Sequence, residues 1–160
     1  IMIDTRNFMS RTGVRTFEAA AFLRRCGADI TRVRKMFRDD MASYRAKAEA
    51  MRKAEVYREE FAIAQCPSDI DSPTVLAAQT ANELLDISGI KASFVLTIYD
   101  GKIYLSARSI DEVNLQIKAE KLGGGGHINS AGAQFDHTNV EEAISALKET
   151  IDQMIEEGDI

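Results

Sequence analysis

Four consecutive glycines, Gly123, Gly124, Gly125 and Gly126, are followed at once by His127, then by Ser130 and Gly132. Adjoining residues without side chains lose much backbone entropy on folding, so a folded chain keeps them where its backbone must come very close to something. Successive peptide N–H groups in such a stretch can curve into a concave anion site. His127 can donate to a phosphate or stack against a base, and Ser130 adds a hydroxyl. A flexible linker is the bland alternative, but linkers are usually long and serine-rich, whereas this run lies between a predicted helix and a predicted strand. No G-x-G-x-x-G spacing opens a helix after a strand here, so the run is not the dinucleotide-binding fingerprint. The chemistry expected is the binding of a phosphorylated ligand.

Arg108 is the second candidate. It closes the segment Ser106-Ala107-Arg108-Ser109 at the end of a predicted strand, where its fork of donors would suit a phosphate; a surface salt bridge is the competing role. Asn114 could hold either the ligand or the start of its own helix. His137, in Asp136-His137-Thr138-Asn139, reads as a solvated turn residue.

These residues need elements to position them. Residues 1–3 look like the end of a strand. Thr16 caps a predicted helix running to Cys26, with Phe17, Ala20, Ala21 and Leu23 at helical spacing, and Asp29 or Thr31 caps a second, short helix. From residue 39 to 60 the apolar stripe Met41, Tyr44, Ala48 and Met51 is narrow and surrounded by charge, which predicts a connecting helix outside any core. An α/β unit follows, with a strand at 61–65, a helix at 74–86 and a strand at 92–99 apolar enough to be buried on both faces. Asp100-Gly101 is a strong hairpin signal leading to a returning strand at 102–107. A helix is expected at 112–122, then the glycines, a short strand at 133–135, and a last helix from 140. That helix carries Val140, Ala143, Ile144, Leu147, Ile151, Met154 and Ile155 on one face. The fold class is α/β, a mixed sheet with flanking helices, preceded by helices and a connecting helix.

Composition narrows the field. The 160 residues are 45% hydrophobic, enough for a real core. No apolar run approaches the roughly 20 residues of a membrane helix, and the first residues lack the pattern of a signal peptide. Their resemblance to the inside of a strand suggests a piece of a longer polypeptide. Cys26 and Cys66 form neither a disulfide framework nor a zinc motif; both are expected to be buried free thiols, in keeping with a reducing cytoplasmic compartment. Residues 1–38 hold nine basic and three acidic side chains, a local charge of +6 against −11 for the rest and −5 overall. So acidic a chain is a poor non-specific nucleic-acid coat, though its basic first quarter could serve a small polyanion.

Gly123-Gly124-Gly125-Gly126-His127 with Ser130-Ala131-Gly132 resembles the signature of the DHH-type phosphoesterases, in their C-terminal DHH-associated substrate domain. That family usually shows alanine where Ser130 stands. Ser106-Ala107-Arg108-Ser109, Asn114 and the helix before the glycines look like it too, over residues 61–157. Asp4-Thr5-Arg6-Asn7-Phe8, continuing through Arg11-Thr12-Gly13-Val14-Arg15-Thr16, is similar to the last catalytic-domain motif of the cyclic-di-AMP phosphodiesterase branch. The resemblance implies that residues 1–38 end a catalytic domain, 39–60 connect, and 61–160 bind substrate. It implies that Asp4 ligates one of two Mn2+ ions. Two-metal hydrolysis needs further ligands, including an Asp-His-His triplet that this sequence lacks, so no complete catalytic set is expected here and the fragment should neither hold the metals nor cut. Related full-length proteins carry membrane segments ahead of the catalytic part, so membrane anchoring would be inherited only from the resemblance.

The function expected is the nucleotide-binding portion of a manganese-dependent cyclic-dinucleotide phosphodiesterase, whose partners are the cyclic dinucleotide and the missing N-terminal catalytic domain. The alternatives are an oligonucleotide phosphodiesterase acting on short RNA or DNA, a non-catalytic RNA-binding module like that at the end of alanyl-tRNA synthetases, and a homodimerisation unit using the stripe of the connecting helix.

Overall fold

The computed structural model describes residues 1–5, 7–9, 11–110, 113, 115, 124–127, 129–135 and 139–158. The chain divides into two compact units, Ile1–Asp39 and Asp40–Ile160.

In the first unit the expected strand at residues 1–3 is a turn. The Thr5 N–H and hydroxyl both donate to the Ile1 carbonyl, at 3.1 and 2.9 Å, and the Asn7 N–H donates to Met2 at 2.9 Å. The described part of this unit contains no other strand, so an apolar β-prone run has no ladder to join and closes its hydrogen bonds locally. Helix α1 spans Val14–Arg25. Thr16, expected to precede the helix as its cap, lies inside the first turn, where its hydroxyl accepts from the Gly13 N–H at 3.3 Å. Helix α2, Ile30–Met36, is capped by Asp29, whose carboxylate accepts from Thr31 and Arg32 N–H at 2.8 and 3.2 Å. Neither helix buries a residue, and Phe17, Phe22 and Leu23 are exposed. Cys26, expected to be buried, is exposed for the same reason: a unit this small has no interior to receive it.

The second unit begins with helix α3, Met41–Arg52, capped by Asp40. Strands β1 (Glu55–Tyr57) and β2 (Phe61–Gln65) form a hairpin whose turn residues Arg58 and Glu59 have φ of 50° and 65°. Helix α4 (Pro73–Leu85) crosses to β3 (Ala92–Tyr99), which pairs in parallel with β2. Strand β4 (Lys102–Ser109) returns through Asp100-Gly101, whose φ angles of 50° and 72° suit the two-residue hairpin turn. Strands β5 (Gly125–His127) and β6 (Ser130–Phe135) form a last hairpin, and helix α5 spans Val140–Glu157. Among the described residues the sheet order is β1-β2-β3-β4-β6-β5, with β2 and β3 paired in parallel and the other neighbours antiparallel.

Each face of the sheet has its own core. Phe61, Phe94, Leu96, Leu105 and Ala133 pack with the α5 stripe Ala143, Leu147, Ile151 and Met154 on one side. Ala62, Ala64 and Val95 pack with Leu76, Ala77, Ala81 and Leu84 of α4 on the other. The α3 helix departs from expectation twice. It ends at Arg52, eight residues before the expected end, because the next residues pair with β2. Its inward face is also rotated: Met41 and Tyr44 are exposed, whereas Ala50 is 2% exposed and joins the α4-side core with Ala46 and Met51. Lys47 lies on the same face, its ammonium 2.5 Å from Glu83 of α4. Alanines and a lysine stem bury well under a closely approaching helix, yet a scan for large apolar residues passes over them. No helix among the described residues is long and apolar enough to cross a membrane.

Candidate functional site

The described part of the glycine run is extended where a curved loop was expected. Gly125, Gly126 and His127 are strand β5, and β6 begins three residues earlier than expected, pairing with it. The register places Gly125 opposite Gly132, Gly126 opposite Ala131 and His127 opposite Ser130. The two backbones lie unusually close. A Cβ on Gly126 would overlap the Ser130 carbonyl oxygen and sit 2.5 Å from Ala131 Cα, and one on Gly124 would overlap the Gly132 carbonyl oxygen and sit 2.6 Å from Ala133 Cα. Gly125 differs: a Cβ there meets nothing within 4 Å. The glycines thus alternate, two allowing the strands to close on each other and one opening toward solvent.

Residues directly opposite in an antiparallel sheet share a face. Arg108 of β4 lies opposite Ser130 of β6, which lies opposite His127 of β5. Three of the expected binding residues therefore form one row across the sheet, with His127 about 10 Å from Arg108 at two interstrand spacings. The next row on the same face is Ser106, Gly132 and Gly125, a hydroxyl and two glycines, so the floor beside the charged row carries almost no side chain.

Arg108 is held in place. Its Nε donates to Asn82 Oδ1 of α4 at 3.1 Å, and its NH1 donates to the Ala107 carbonyl at 2.8 Å. The guanidinium is thereby fixed at the junction of α4 and the open part of the sheet. Beside it, the Ser109 N–H donates to the Asn129 carbonyl at 3.2 Å, tying the β5–β6 turn to the end of β4. Sequence reading missed Asn82. Twenty-six residues separate it from Arg108, and only the β2–α4–β3 crossover brings them together.

Asn114, Gly123, His137 and the predicted helix at 112–122, apart from the buried Val113 and Leu115, lie outside the described residues. Asp4 is in the first unit, its carboxyl largely exposed and 3.6 Å from the ammonium of Ile1. Among the described residues no group of three or more His, Cys, Asp or Glu could hold a metal. Asp4 alone does not fit a two-metal centre. The Arg108–Ser130–His127 row offers positive charge, a hydroxyl and an imidazole to an anion. Such a set has the donors that a phosphate site requires.

A profile of the DHHA1 domain matches residues 59–157. The chain is 40% identical over 153 residues to the cyclic-di-AMP phosphodiesterase PdeA of Listeria monocytogenes, covering 95% of this chain and 23% of that protein. It is 43% identical over 159 residues to the cyclic-di-AMP phosphodiesterase GdpP of Geobacillus thermodenitrificans, covering 99% of this chain and 24% of that protein. It therefore spans about a quarter of the length of these relatives. Among solved structures, an exopolyphosphatase-related protein from Bacteroides fragilis superposes with a TM-score of 0.83 at 20% identity, over 96% of this chain and 47% of that one. This last likeness concerns the fold.

Proposed function

The chain belongs to the DHHA1 domain family, and from that premise we propose that its sheet is the substrate-binding part of a phosphodiesterase that hydrolyses cyclic dinucleotides, cyclic-di-AMP foremost. The observation that carries the reading is the Arg108–Ser130–His127 row beside the bare floor at Gly125 and Gly132. Arg108 supplies the charge and a planar fork for a phosphodiester, Ser130 and His127 complete its hydrogen bonds, and Gly125 lets the nucleotide approach the strand. Relatives at 40% and 43% identity that bear the name of that activity support the choice of ligand.

In this reading residues 1–38 end a catalytic domain, the segment from 39 to 60 connects, and 61–160 bind the nucleotide. Cutting belongs to the whole protein. A manganese-dependent centre would draw one carboxylate from Asp4 and its other ligands from outside this chain.

The test is a parallel titration of the chain with cyclic-di-AMP, its linear dinucleotide and a short RNA, at low and high salt, beside Gly125→Val and His127→Ala. Selective dinucleotide binding that both substitutions remove is the expected result. Equal, steeply salt-dependent binding of all three ligands would overturn it in favour of an oligonucleotide-binding module.

A further inference from the structure

The α4-side face of the sheet, at the partly exposed β4–β6 end, has a second feature that the phosphate row does not use. Tyr104 of β4 lies opposite Gln134 of β6 and Thr97 of β3, so it stands on the same face as Ser106 and Arg108. Its ring is paired with that of Tyr99, on the same face of β3, with centroids 6.0 Å apart and planes at 60°. Tyr99 is 51% exposed although both strands around it are ordered in a full ladder.

A cross-strand aromatic pair can serve only to strengthen its hairpin. This hairpin is already specified by Asp100-Gly101 and by eight consecutive residue pairs, from Ala92↔Ser109 to Tyr99↔Lys102. A pair kept for packing alone would also be better covered. Its position relative to Arg108 argues for another use. Four residues of β4 separate the two, about 13 Å along the strand. Both are long side chains standing above the sheet, and the row between them, Ser106–Gly132–Gly125, leaves the path low and open. One end of the face therefore suits a phosphate and the other a flat π surface, across the span of an extended nucleotide unit.

The geometry points to Tyr104, backed by Tyr99, as a nucleobase-stacking site for a ligand whose phosphate sits on the Arg108–Ser130–His127 row. This rests on the phosphate-binding reading of that row and extends it to one base of an adenine dinucleotide. Stacking of a base on an aromatic ring tolerates any base, so the site adds affinity and orientation without strict base choice.

The experiment compares cyclic-di-AMP with ribose 5-phosphate, which has a phosphate and no base, on the unaltered chain and on Tyr104→Leu, Tyr104→Phe and Arg108→Gln. Tyr104→Leu should weaken dinucleotide binding about tenfold and leave ribose 5-phosphate unchanged, while Tyr104→Phe keeps both. Equal dinucleotide affinity in Tyr104→Leu, or an equal loss for ribose 5-phosphate, overturns the stacking site. Arg108→Gln should weaken both ligands; if it weakens neither, the phosphate row itself is misassigned, a failure distinct from that of the stacking site. The ring-proton shifts of Tyr104 on the unaltered chain need no variant. They should move upfield with dinucleotide and stay still with ribose 5-phosphate, and an unmoved ring under saturating dinucleotide refutes the proposal.

Discussion

Substituting the three described glycines of the run one at a time by alanine should produce two opposite phenotypes. At Gly126 the new methyl carbon would overlap the Ser130 carbonyl oxygen and lie 2.5 Å from Ala131 Cα and 2.8 Å from Ala131 Cβ. At Gly124 it would overlap the Gly132 carbonyl oxygen and lie 2.6 Å from Ala133 Cα. These neighbours are mostly backbone and cannot swing aside, so the strands must separate. Overpacking of this kind costs about 1–3 kcal/mol. Among the described residues β5 pairs with β6 alone, so the cheapest response is local detachment of the edge, not unfolding of the domain. Gly125→Ala adds its methyl where nothing lies within 4 Å. Its effect on stability should stay within about 1 kcal/mol, reflecting mainly the lost freedom of the unfolded chain. Amide hydrogen exchange reads the difference directly. Gly126→Ala should speed exchange of the β5–β6 ladder amides roughly 5- to 150-fold, the equivalent of that cost, while amides in β3 and α5 keep their protection. Gly125→Ala should leave every amide protected and yet weaken dinucleotide binding. Unchanged ladder exchange in Gly126→Ala, or a detached ladder in Gly125→Ala, would refute the alternation.

Other outcomes follow from single contacts. Asn82→Leu, which removes the acceptor at 3.1 Å from Arg108 Nε, should weaken phosphate-ligand binding about tenfold or more, the net worth of one hydrogen bond to a charged group, with little change in Tm; an unchanged affinity would mean that Arg108 does not need this anchor. Burial pushes the Cys66 thiol above its ordinary range, with a smaller opposing effect from its contact with Thr80, whereas Cys26 is exposed. Iodoacetamide at mildly alkaline pH should therefore label Cys26 promptly and Cys66 only on unfolding, as mass spectrometry of the peptides would show. Hydrogen bonds from Arg58 and then Tyr57 hold the Asp152 carboxyl below its usual range. A carboxyl whose folded value is depressed stabilises the fold above its unfolded value of about 3.9 and loses that contribution as pH falls through the folded value. Asp152→Asn should accordingly lower Tm at neutral pH, with the gap to the unaltered chain closing in acid; a gap that persists at low pH would place the effect elsewhere.

Much of the architecture could be read from local pattern. The apolar run at 92–99, the Asp100-Gly101 turn and the α5 stripe are each governed by interactions within a few residues, and the structure has these elements where the pattern puts them, although Ile98, Tyr99 and Ile155, each near the end of its element, are exposed rather than buried. Candidate site residues could be named too, since glycines beside a histidine, and an arginine at a strand end, are residue types that suit an anion. What local pattern could not supply was partnership. The short strand β1 exists because β2 offers it an edge, and the turn at residues 1–5 exists because nothing described in its unit does. The α3 helix turns alanines and Lys47 inward because α4 lies close enough to bury them. Residue type and spacing nominated Arg108, Ser130 and His127 as candidates for a phosphate. Only the tertiary structure set Arg108, Ser130 and His127 in one row, gave Arg108 its anchor in Asn82, and divided the glycines between strand closure and open approach. Register and crossover are long-range pairings, and no periodicity along the chain encodes which distant residue will lie opposite.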